Sequence, residues 1–109
     1  MRPVTFLDVA ARLACVMRAY DAHNHLQDER LVAGRGPILA ACRSAGVQRM
    51  VVNGACASDW PEVVRLAADN PDLVIPSLGW HPWYLHERRR GWEGEFREWL
   101  DRTPGGMVG

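Results

Sequence analysis

The sequence predicts an α/β fold built on a parallel sheet, and two observations carry that reading. Short apolar, β-branched runs alternate along the chain with segments punctuated as helices by an early proline and a closing glycine or asparagine. The residues able to do chemistry also follow those runs: His23 and His25 end the first, Asn53 ends the second, and His81 follows the third. Ligands of parallel α/β sheets sit beyond the carboxyl ends of the strands, so these groups are expected at one end of the sheet.

Composition sets the bounds. A chain of 109 residues, 48% of them hydrophobic, has material for one modest core and is short for more than one domain. Thirteen basic and thirteen acidic residues leave no net charge, so bulk electrostatics attracts the chain neither to nucleic acid nor to an anionic membrane. Any charged ligand must be held locally. Every one of the thirteen cations is arginine; arginine is the better bidentate partner for phosphate, although coding bias produces the same usage. Cys15, Cys42 and Cys56 are odd in number and lack C-x-x-C spacing, which argues against a disulfide framework or zinc ribbon and for a reducing, cytoplasmic setting.

In chain order, residues 3–16 have apolar positions at helical spacing behind a candidate N-cap, Thr5. Asp8 and Arg12 interrupt the apolar run, so the segment is a poor signal-peptide core and is not expected to span a membrane. Met17 directly precedes the strand that opens with Arg18 and is a second candidate start. Gly36 and Pro37 then open a helix over 38–45 that ends at Gly46. Val47 to Gly54 reads as a strand. Ser58 or Asp59 caps a helix from Trp60 to Ala68, stopped by Asn70-Pro71, and Leu73 to Gly79 is the third strand. Trp80 to Tyr84 form an aromatic loop, followed by the arginine triplet Arg88 to Arg90. Trp92 to Arg102 is helical, with Trp92, Phe96, Trp99 and Leu100 on one stripe, and Met107 to Gly109 begins a fourth strand.

The first strand ends in Asp21-Ala22-His23-Asn24-His25. Regular alternation puts Asp21, His23 and His25 on one face. Three metal-competent groups crowded together are costly to bury without a partner, and a divalent cation is the natural occupant. A surface strand end carrying two histidines by chance is the alternative. The coincidence of all three polar clusters at one sheet end favours a site.

Taken together, Asp21 to Leu26, the strand end Val52-Asn53-Gly54, the helix containing Trp60, and Gly79-Trp80-His81-Pro82 resemble the N-terminal part of the TatD-related metal-dependent hydrolases. These belong to the amidohydrolase-like group of (β/α)8, TIM-like barrels. The resemblance runs from about Met17 to Gly109 and implies about three βα units of such a barrel, incomplete at the C-terminus, with residues 1–16 as an N-terminal helical extension and 17–109 as the N-terminal portion of the metallohydrolase barrel. It further implies that His23 and His25 are metal ligands for one or two divalent ions (Mg, Mn or Zn), and that His81 lines the substrate site. The implied substrate is nucleic acid or a small phosphoester, and the implied activity is DNase-like phosphodiester hydrolysis, in which the metal acidifies water and polarises the phosphoryl oxygen. Trp80 and Trp83 then offer stacking faces to a base, and Arg88 to Arg90 offer phosphate contacts. For His81 the competing reading is a loop histidine bonded to backbone; for the arginines, a solvated helix entrance.

The same resemblance shows what is missing. A complete barrel takes about 250 residues and eight strands, and the glutamate, two histidines and aspartate that later strands of the family contribute to the metal are not present. Two imidazoles are fewer than the three or four protein ligands of catalytic metals. The chain alone is therefore expected to be inactive. A second class of function stays open: a non-catalytic α/β module that self-associates or binds a partner through open sheet edges.

Overall fold

The computed structural model describes residues 2–8 and 17–109. Most of the expected 3–16 helix, and Cys15 with it, lies outside the described residues. At its start Thr5 is the cap the sequence suggested: its hydroxyl accepts from the Asp8 N–H, and the Asp8 carboxylate accepts from the Thr5 N–H, satisfying two helix-end donors reciprocally.

Four strands alternate with helices: β1 (Ala19–Asn24), α1 (Arg35–Ser44), β2 (Val47–Asn53), α2 (Trp60–Asp69), β3 (Val74–Leu78), α3 (Trp92–Asp101) and β4 (Met107–Val108). Two short 3-10 segments, Glu29–Gly34 and Pro82–Glu87, lie in the connections after β1 and β3. All neighbouring strands pair in parallel and in the order β1-β2-β3-β4. A doubly wound sheet reverses strand order partway across. Among the described strands no reversal occurs, so successive right-handed crossovers put the three connecting helices, α1 to α3, on the same face. That is the winding of a (β/α) barrel wall.

The core lies between that face and the helices. Met50 and Val52 of β2, Val74 and Leu78 of β3, and Trp60, Val63 and Leu66 of α2 are buried together with Leu26 and Leu73. Trp60, fully buried, meets Trp80 edge-on at 5.6 Å between ring centroids and Phe96 at 5.3 Å. On the α3 stripe, Phe96, Trp99 and Leu100 pack against this core as expected, whereas half-buried Trp92 lies under the Arg88 guanidinium, 4.7 Å from its ring centre. Gly46, at φ 93°, turns the chain out of α1 in the left-handed region that glycine enters without strain.

Two local readings need correction. Gln27 opens the polar stretch Gln27-Asp28-Glu29-Arg30, which reads as loop in the sequence, yet it is only 4% exposed. Asp59 occupies the N-cap position of α2 but makes no capping bond there; its carboxylate turns back to accept from the N–H groups of Ala55 and Cys56. A carboxylate bonds whichever donors lie nearest, and here the tight turn after β2 supplies them.

Candidate metal and substrate site

The site forms where β1, β2 and β3 end. His25 follows the last residue of β1, and its Nδ1 lies 2.7 Å from the backbone carbonyl oxygen of Asn53, the last residue of β2. A carbonyl only accepts, so this contact assigns the ring proton to Nδ1 and leaves a lone pair on Nε2. That nitrogen lies 3.2 Å from His23 Nε2. Without a cation, His23 donates its Nε2–H to His25. With one, both lone pairs would be available to it, and the 3.2 Å separation is short enough for the two imidazoles to share one divalent ion. The donor set fits two positions of a divalent metal's shell. Among the described residues, no group of three or more His, Cys, Asp and Glu side chains is placed to hold an ion.

Asp21 does not join the histidines as the alternation predicted. The register of β1 against β2 shifts between Asp21 and Asn24, which breaks the two-residue period. The Asp21 carboxylate instead accepts from the His23 N–H and the Asn24 side-chain amide. The acceptor that orients His25 is a main-chain oxygen of another strand, for which residue type carries no signal. Asn53 thus contributes through its backbone, while its buried side chain donates to the Val51 carbonyl.

His81 stands with its ring centre 6.3 Å from that of His25. Its main-chain N–H donates to Ala55, and its Nδ1 accepts from the Trp83 N–H, capping the segment Pro82–Glu87. The backbone-bonded reading of this histidine therefore holds for Nδ1. It also fixes the opposite tautomer from His25: in the neutral ring Nε2 carries the proton and is a donor. His25 presents a lone pair suited to a cation, and His81 a hydrogen suited to an anion.

Of the two tryptophans proposed for stacking, Trp80 packs against the core and its buried Nε1 has no partner among the described residues. Trp83 is 78% exposed with its ring 4.9 Å from that of His81. Arg88, Arg89 and Arg90 are exposed ahead of α3. Two residues before His81, the Gly79 carbonyl accepts from the Trp60 Nε1–H across 2.9 Å.

Two residues that sequence reasoning missed support the end of β1. Gln27 Nε2 donates to the Asn53 carbonyl at 2.6 Å and to Asp59 at 3.0 Å. Arg35, 7% exposed, donates to the carbonyls of Leu26 and Gln27 and to Glu62. Both are long polar side chains held buried, and only the tertiary contacts mark them. Beside them Asp28 is held down to about 2, chiefly by the Arg30 guanidinium and then by the Arg30 N–H.

Four parallel strands in sequential order, alternating with helices and with three imidazoles gathered at their carboxyl ends, are consistent with part of a (β/α) barrel. The chain belongs to the TatD-related DNase family, whose model matches residues 20–109 as a partial domain. No curated protein matches the chain. No helix among the described residues is long and apolar enough to cross a membrane.

Proposed function

We propose that residues 17–109 are the N-terminal portion of a metal-dependent phosphodiesterase acting on nucleic acid, in which His23 and His25 bind a divalent cation and His81 binds substrate. The observation that carries this is the approach of the two Nε2 atoms to 3.2 Å while the His25 Nδ1 proton is committed to the Asn53 carbonyl, which leaves a lone pair facing its neighbour. A bound divalent ion would supply Lewis acidity toward a phosphoryl oxygen and acidify water. The chain's own residues orient: His23 and His25 hold the ion, the His81 Nε2–H donates to a phosphate oxygen, and the exposed face of Trp83 stacks on an adjacent base. Two protein ligands make a weak site, so turnover by this chain alone is not expected.

The test is calorimetric titration of the chain with Mn²⁺ or Zn²⁺, then with a short single-stranded oligonucleotide. Wild type is expected to bind one cation, His23→Ala and His25→Ala to lose at least about ten-fold in affinity, and Trp83→Ala to weaken the oligonucleotide by about 1–3 kcal/mol without changing cation binding. Equal cation affinity in wild type and both histidine variants refutes the metal reading. Concentration-dependent self-association with no cation or oligonucleotide binding would instead support the assembly module.

A further inference from the structure

We propose that Gln27 is a positioning residue for His25, acting with Asp59 to hold the Asn53 carbonyl where the imidazole must donate. This rests on the reading of His25 as a metal ligand but concerns the tautomer of the free ring. The Gln27 amide is buried, and its nitrogen spans two groups that can only accept: the Asn53 carbonyl at 2.6 Å and the Asp59 carboxylate at 3.0 Å. Flipping the amide would set its oxygen against both, so the orientation is forced even though Oε1 is left buried without a partner among the described residues. A side chain that gives up one hydrogen bond to make two others marks a point where geometry is specified.

The two bonds join three separate pieces. Gln27 lies two residues beyond His25, Asn53 ends β2, and Asp59 grips the turn after β2 through the N–H groups of Ala55 and Cys56. The Asn53 carbonyl receives the Gln27 amide and the His25 Nδ1–H together. Arg35 closes the arrangement from behind by donating to the Leu26 and Gln27 carbonyls. The chain on either side of the amide is therefore fixed relative to the acceptor that sets the His25 tautomer. Groups that orient a metal-binding histidine from outside the coordination shell change metal affinity by about 10–100-fold when removed.

The test substitutes Gln27→Met, which keeps the length of the side chain without donors, and Gln27→Glu, which replaces the donor by an acceptor. The readout is the side-chain ¹⁵N spectrum of His25 in the metal-free full chain, followed by Zn²⁺ titration. Wild type is expected to show the Nδ1–H tautomer alone. Either folded variant is expected to show a mixed tautomer population and about ten-fold weaker zinc binding. An unchanged His25 tautomer in either folded variant overturns the proposal, whatever happens to zinc. Wild type that shows the single tautomer yet binds no zinc refutes the metal reading and leaves the positioning role standing.

Discussion

Replacing Arg35 by methionine isolates the contribution of one buried cation to the site. The side chain is 9% exposed and makes three bonds: Nε to the Leu26 carbonyl at 3.0 Å, Nη2 to the Gln27 carbonyl at 3.1 Å, and Nη1 to Glu62 at 2.9 Å. The ion pair contributes least, because Glu62 is 38% exposed and keeps Arg65 at 2.7 Å, so it is not left alone. The two carbonyl bonds decide the outcome. Each hydrogen bond from a charged donor is worth about 1.5–3 kcal/mol, and methionine recovers part of the sum because it carries no charge to desolvate. The net loss is expected at about 2–4 kcal/mol, a fall in melting temperature of about 10–20 °C for a domain of this size. Urea denaturation of wild type and Arg35→Met, read by tryptophan fluorescence, measures it. Arg35→Lys should recover little, since an ammonium cannot reproduce the planar three-way fork. A loss below about 1 kcal/mol in Arg35→Met would refute the reasoning, for it would mean the two carbonyls find other donors.

Trp60→Phe keeps an aromatic ring in the core but removes the donor to the Gly79 carbonyl, leaving a buried acceptor unpaired. A loss of about 1–3 kcal/mol is expected in the same denaturation assay, with a changed His81 side-chain resonance because the turn bearing that ring loses its anchor; an unchanged His81 signal would count against the anchoring role. Asp28 is expected to titrate near 2 rather than at its ordinary 3.8, because the Arg30 side chain and N–H bond its ionised form. A lowered folded-state pKa means that its stabilisation is fully present above the ordinary value and is lost as pH falls toward about 2. Carboxyl ¹³C titration of wild type and Arg30→Ala checks this, and a midpoint that does not rise in the variant would refute the assignment.

Much of the fold was legible because its signals are local. Alternating runs, the proline early in α2 and Gly46 after α1 placed the described strands and the helices α2 and α3 to within one or two residues, whereas α1 begins at Arg35 rather than Ile38. Spacing brought His23 and His25 together, and the order of elements put His81 at the same sheet end. Local pattern failed where a bond partner came from elsewhere. The register shift in β1 separated Asp21 from the histidines, and Trp80, indistinguishable in sequence from Trp83, turned into the core while its neighbour stayed exposed.

The sequence by itself determined the α/β class, the parallel winding and the identity of the imidazoles at the strand ends, since these follow from periodicity and from residue chemistry. Only the tertiary structure decided what those imidazoles can do. The Asn53 carbonyl gives His25 a free Nε2, and the Trp83 N–H gives His81 a protonated one. Every residue carries the same main-chain carbonyl and nearly every one the same N–H, so a tautomer set by backbone groups is written in how the strands are arranged and in no residue type along the chain.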